Sequence, residues 1–161
     1  MRIHFITTGG TIDKVYFDAK SEYEVGQSQV MELLKDANVS FDFDVENVLA
    51  KDSLDLTDAD RALVRERVAA APCDRIVVTH GTDTMIETAR RLKGIPDKTV
   101  VLTGSMQPAR FRNTDAVFNL GAAIMAVQTL PPGVYLAMNG RIFDPERTHK
   151  DRSQARFIED D

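Results

Sequence analysis

Three short runs constrain this chain more than any other feature. Ile3 to Thr7, Arg75 to Thr79 and Thr99 to Thr103 each read as a strand, and each stops at glycine and small hydroxyl residues. Apolar strands closed in this way indicate a parallel sheet whose functional loops lie at the carboxyl ends of its strands. Val134 to Met138 supplies a fourth such strand. Helical patterns fall between them, at Gln29 to Ala37, Asp58 to Ala70, Thr84 to Leu92 and Thr114 to Val127. Thr57 and Asp60 form a capping arrangement at the start of the second helix. Phe41 to Val48 alternates apolar with acidic residues, as a half-buried strand towards a sheet edge does. Right-handed crossovers between parallel strands place helices on both faces. The expected fold is therefore α/β: a three-layer, mainly parallel sheet with helices on both faces, flavodoxin-like or Rossmann-like.

With 161 residues, 43% of them apolar, the chain suits one domain over 1–161, without repeats or an interdomain linker. Its net charge of -5 comes without a basic block, which argues against nucleic acid or a membrane surface as partner. No apolar stretch approaches the roughly 20 residues that span a bilayer. Met1 to Thr7 reads as a strand and not as a signal peptide. Cys73, the single cysteine, allows neither an intrachain disulfide nor a cysteine-based metal site, and it suits a reducing, cytoplasmic setting. His4, His80 and His149 share no ligand spacing, so no metal and no cofactor is expected. The charged tail from Pro145 to Asp161 is expected to be partly mobile unless a partner or substrate orders it.

Three polar clusters could carry chemistry. Thr7-Thr8-Gly9-Gly10-Thr11-Ile12 follows the first strand, where glycines turn the backbone sharply and a hydroxyl comes next. It lacks the spacing of a dinucleotide fingerprint or P-loop, and by itself it could be an ordinary tight turn. His80-Gly81-Thr82-Asp83-Thr84 follows Arg75 to Thr79 and sets a hydroxyl and a carboxylate at the same sheet edge as Thr11; helix capping by Thr82 or Asp83 is the simpler alternative. His80 suits a hydrogen-bonded structural group better than a relay. Arg147-Thr148-His149-Lys150 comes after a turn at Asn139-Gly140. A lysine beside a carboxylate keeps its proton, so Lys150 suits electrostatic tuning and not simple proton abstraction.

Together with Ser21 to Gly26 and Asp52-Ser53-Leu54-Asp55, these clusters resemble the bacterial-type L-asparaginase family over nearly the whole chain. Thr-Gly-Gly-Thr-Ile and His-Gly-Thr-Asp-Thr-Met stand in the family's order, each after a strand; Thr103 to Pro108, Asp115 to Leu120 and Asn139 to Ile142 also look like family segments. The resemblance implies Thr11 as nucleophile and Tyr23 as its hydrogen-bonded activating partner, both on a mobile lid. It implies a second group of Thr82, Asp83 and Lys150 that handles the proton. Asp83 would also bind the substrate's ammonium, Ser53 its α-carboxylate, and Ser105 and Gly10 would line the pocket. The implied reaction is hydrolysis of L-asparagine to aspartate and ammonia through a threonine acyl-enzyme, with L-glutamine as a weaker substrate. The physical fit is sound, because a zwitterionic amide needs an anion, hydroxyl and N–H donors and a nearby nucleophile. A homo-oligomer is implied as well.

The chain also departs from the pattern. The longer relatives carry a second domain, and weak substrate affinity is expected without it. Leu54 replaces a polar residue, Ala116 a glycine, and Asp13-Lys14 adds charge expected at the mouth of the pocket. A non-catalytic amino-acid-binding module and a glutamine-using amidotransferase subunit are the competing functions.

Overall fold

The structure is a computed structural model that describes residues 1–17 and 22–160. Its main sheet has the strand order β4-β1-β5-β6-β7-β8, made of β1 (Arg2–Gly9), β4 (Asp42–Lys51), β5 (Arg75–Thr79), β6 (Thr99–Thr103), β7 (Gly133–Met138) and β8 (Arg141–Phe143). Each neighbouring pair is parallel except β7 with β8. The helices are α1 (Val30–Asp36), α2 (Asp58–Ala70), α3 (Met85–Leu92) and α4 (Ala116–Thr129).

Strict alternation along the buried strands divides the core. Ile6, Val78 and Leu102 pack with Val64, Val68, Met85 and Ala89 of α2 and α3. Phe5, Val77 and Val101 point the other way, towards Leu34 of α1 and Leu120, Ala123 and Val127 of α4. Two helices therefore cover each face, and the expected three-layer α/β architecture is the observed one. The edge position foreseen for Phe41 to Val48 is that of β4, where the rings of Phe43 and of Phe41 just before the strand pack on Phe5.

Counting only the parallel strands, the order is that of the flavodoxin arrangement: the chain runs from β1 outward to β4, then crosses back over β1 to β5. The switch point lies between the carboxyl ends of β1 and β5, where open α/β sheets bind ligands. Both glycine loops emerge there.

Several elements had no counterpart in the sequence pattern. β2 (Lys14–Phe17) and β3 (Glu22–Val25) form an antiparallel hairpin directly after the first loop. Ser21 lies outside the described residues. The tail expected to be partly mobile folds, in its described residues, as a 3₁₀ turn (Pro145–Arg147) and a second hairpin of β9 (Thr148–Asp151) and β10 (Arg156–Glu159). Its anchor is Phe157, which is buried and meets the Phe143 ring at 6.3 Å. The Asp151 carboxylate accepts hydrogen bonds from Ser153 and Gln154 and so closes the turn. Among the described residues no helix is long and apolar enough to cross a membrane.

Candidate active site

The two glycine loops touch through their backbones. Gly10 has φ 88°, and a Cβ there would fall 2.4 Å from the Gly81 nitrogen. A Cβ on Gly81 would fall 2.6 Å from the Ser53 hydroxyl oxygen. Both lie inside any tolerable contact, so only glycine lets the turns after β1 and β5 and the Ser53 turn meet. Three segments remote in sequence thus reach one sheet edge.

On the β5 side, polar groups are tied together. The Lys150 ammonium donates to Thr82 Oγ1 at 2.8 Å and to Asp83 Oδ1 at 2.9 Å. Thr82 is buried and the Lys150 side chain nearly so, whereas Asp83 is about one-third exposed. Oδ2 of Asp83 has no partner among the described residues. Arg152 brings its Nε within 3.7 Å of Asp83 Oδ1, a neighbour that sequence reasoning did not single out. The capping alternative for Thr82 and Asp83 does not hold, because α3 takes Thr84 as its N-cap and no side chain caps it. The Thr84 hydroxyl donates instead to the Ser53 carbonyl at 2.7 Å, fastening the two segments.

His80 is fully buried. One ring nitrogen meets the Gly81 carbonyl at 2.7 Å and the other the Thr88 hydroxyl at 2.8 Å. Burial, with a smaller contribution from Arg61, depresses its pKa to about 4 against the pull of the Gly81 bond. It is a neutral structural imidazole that fixes the loop, as its sequence position suggested.

On the β1 side the arrangement is looser. Thr11 opens a 3₁₀ turn (Thr11–Asp13) and is half-buried. Tyr23 on β3 is 49% exposed, with its ring 5.3 Å from Tyr16 and 5.7 Å edge-on to Phe111. Thr11 and Tyr23 make no side-chain hydrogen bond with each other among the described residues. The Gly10 N–H is committed to the Lys51 carbonyl at 2.9 Å. Ser53, buried, begins a 3₁₀ turn (Ser53–Asp55) capped by Asp52, whose carboxylate accepts from the Leu54 N–H. Ser105 is buried with its hydroxyl donating to the Gln107 carbonyl, so it shapes its own loop. Leu54 is 64% exposed.

Asp13 overturns an expectation. It does not add charge at a pocket mouth; it is buried, and Lys14 pairs with Asp52 at 3.0 Å. Asp115 carries more than its motif suggested. Its carboxylate accepts the Met106 and Gln107 N–H groups and the Asn119 amide, which in turn reaches the Gly104 carbonyl. Asn139 passes the chain of bonds on to the Phe157 N–H. The Asn139-Gly140 turn and the Asp115 segment were visible as motifs, but not their linkage. No group of three His, Cys, Asp or Glu among the described residues could hold a metal.

A flavodoxin-ordered sheet with paired glycine loops at its switch point defines a doubly wound α/β domain, and comparison with known proteins specifies which. The family model "Asparaginase, N-terminal" matches residues 2–157. The chain belongs to the asparaginase family and corresponds to its N-terminal domain. The thermostable L-asparaginase of Thermococcus kodakarensis superposes with a TM-score of 0.84 at 28% identity, over 99% of this chain and 51% of that one. L-asparaginase 2 of Escherichia coli is 35% identical over 88% of this chain and 44% of its own length. A glutamyl-tRNA(Gln) amidotransferase subunit of Aeropyrum pernix is 33% identical over 89% of this chain and 36% of its own. The chain thus spans about half or less of the relatives it matches.

Proposed function

We propose that this domain is an L-asparagine amidohydrolase acting through a threonine ester. The observation that carries the reading is the Lys150 ammonium shared by Thr82 and Asp83, next to the Gly10–Gly81 contact that sets Thr11 at the same edge. In this reading Thr11 Oγ1 attacks the side-chain amide carbon, with Tyr23 receiving its proton and passing it to the departing nitrogen. Ammonia leaves and a threonyl ester forms; water then attacks the ester and releases aspartate. Lys150 keeps Thr82 polarised and pairs with Asp83. Asp83 Oδ2 holds the substrate ammonium, Ser53 its α-carboxylate, and early amides of the Thr11 turn face the oxyanion.

A second reading, an amidotransferase subunit using glutamine, draws on the similarity to the Aeropyrum pernix protein. Ammonia release measured with L-asparagine and L-glutamine, beside Thr11→Ala and Lys150→Met, separates the two. Saturable release from asparagine that both substitutions abolish is expected. Release from glutamine alone favours the amidotransferase, and binding without release a non-catalytic module.

We further propose a cytoplasmic, symmetric homo-oligomer. Helix α4 contains no charged residue, yet Val117, Phe118 and Met125 on it stay exposed. Apolar surface of that kind is normally covered. Light scattering that finds a monomer at working concentration would remove this proposal.

A further inference from the structure

The turn that carries Thr11 ends in a polar residue to which the proposed reaction gives no part. Asp13 is 1% exposed and stands at both roots of the β2–β3 hairpin. It is the last residue before Lys14, where the hairpin departs. Its carbonyl accepts the N–H of Gly26, where the hairpin returns, at 2.9 Å. Its Oδ1 accepts the Gln29 N–H at 2.9 Å. The fastening continues outward: Gln29 Oε1 accepts from Arg110 at 2.9 Å, and the Ile12 carbonyl accepts from Ala109 at 3.0 Å. The Asp13 carboxylate therefore joins the Thr11 turn to the start of α1, its backbone carbonyl ties in the return of the hairpin that carries Tyr23, and Gln29 and Ile12 extend the fastening to the loop after β6.

A buried carboxylate is a costly fastener, since a neutral side chain could accept the same hydrogen bonds without desolvating a charge. Burial raises the Asp13 pKa to about 6, while the Gln29 amide and the Ser28 hydroxyl pull it down. Of the charged neighbours, Glu32 and Lys35 of α1 share with Asp13 a cavity of about 570 Å³. Lys14 and Glu24 of the hairpin line a separate cavity of about 330 Å³, and Arg110 is engaged by Gln29.

We propose that Asp13 is a positioning residue: as a carboxylate it clamps the Thr11 turn to the start of α1 just past the hairpin's return, reinforcing the backbone bond to Gly26 and fixing Thr11 relative to Tyr23, and as a neutral acid it loosens that clamp. The inference rests on the amidohydrolase reading. Hydrogen bonds to an ionised acceptor are about twice as strong as those to a neutral one, so one proton is enough to loosen the clamp.

Two variants and two readouts test it. Asp13→Asn keeps the size and the acceptor but cannot ionise, and Asp13→Ala removes the clamp. Ammonia release from L-asparagine is followed from about pH 4.5 to 8. The wild-type kcat falls on acidification with a midpoint near 6. Asp13→Asn lowers kcat about tenfold, leaves KM within about threefold and abolishes that midpoint; Asp13→Ala lowers kcat further, about a hundredfold. Independently of activity, the Gln29 amide resonance titrates with the same midpoint in the wild type and not in Asp13→Asn. A pH-insensitive Gln29 amide overturns the proposal, and so does an Asp13→Asn enzyme with the wild-type pH profile. A wild-type protein that releases no ammonia overturns the amidohydrolase reading, and with it the role given to Asp13 in positioning Thr11. The amide titration then still reports whether the clamp itself exists.

Discussion

The loops after β1 and β5 begin alike, as apolar strands running into glycine and threonine, and end in opposite mechanical conditions. After β5, each polar side chain is tied to the body of the domain: His80 between Gly81 and Thr88, Thr84 to Ser53, and Thr82 and Asp83 to Lys150. After β1, the chain departs into a hairpin whose Tyr16, Phe17 and Tyr23 are about half exposed, with the Tyr23 ring packed against Tyr16 and Phe111. The proton-handling half of the proposed site is thus preformed, and the nucleophile half is held at its base. A preformed half contributes electrostatics without reorganisation.

The contrast can be broken most sharply at Lys150. Lys150→Met removes the charge shared by Thr82 and Asp83, and kcat should fall by about a thousandfold or more with the fold retained. Circular dichroism beside the ammonia assay checks it. Thr11→Ala should abolish turnover equally while leaving asparagine binding measurable by calorimetry. A smaller effect belongs to Tyr23→Phe, which keeps both ring contacts and loses the hydroxyl. If the hairpin closes during the reaction, kcat drops about a hundredfold with unchanged thermal stability. An unchanged kcat would leave Tyr23 with packing alone.

Stability gives a subtler comparison, because the two loops bury titratable groups of opposite sign. The folded pKa of His80, about 4, lies below its ordinary value of 6.5. Its contribution is present above pH 6.5 and is lost as pH falls through 4. The folded pKa of Asp13, about 6, lies above its ordinary value of 3.8, so its contribution is present below 3.8 and is lost as pH rises through 6. Between those limits the two offset one another, each by at most about 3 kcal/mol. Denaturant unfolding of Asp13→Asn should therefore show a steeper loss of stability on acidification than the wild type. Identical slopes would mean that Asp13 titrates alike in the folded and unfolded chain. Smallest of all, Thr57→Ala removes the capping box far from both loops and should cost about 1 kcal/mol in unfolding with no change in activity.

How much of this the sequence revealed follows from what each element depends on. β5 and β6 fall at their expected residues because short runs rich in β-branched residues are bounded by turn residues, and α2 does so because its capping box marks the first turn. The two hairpins were invisible. β2 and β3 are short, partly exposed on both faces and mixed in charge, and β10 has one buried apolar residue, Phe157, to mark it. The site divides in the same way. Thr11 and Thr82 sit in local motifs, whereas Lys150 lies 68 positions from its partner Thr82 and is tied to it in sequence only by family resemblance. Asp13 misleads for a related reason. A charge in a polar turn reads as solvated, and nothing nearby in sequence announces that Gln29 will bring an amide to it.

The tail hairpin turns strand register into a setting for chemistry. Lys150 stands directly opposite Phe157, so the two share a face of the ribbon, and the burial of the phenyl ring turns the ammonium inward. A slip of one residue would move Lys150 to the outer face, since side chains alternate. The acid–base behaviour of the proposed centre thus depends on an oily side chain in the core: an engineer who trims Phe157 to smaller residues would be changing reactivity while apparently editing only packing.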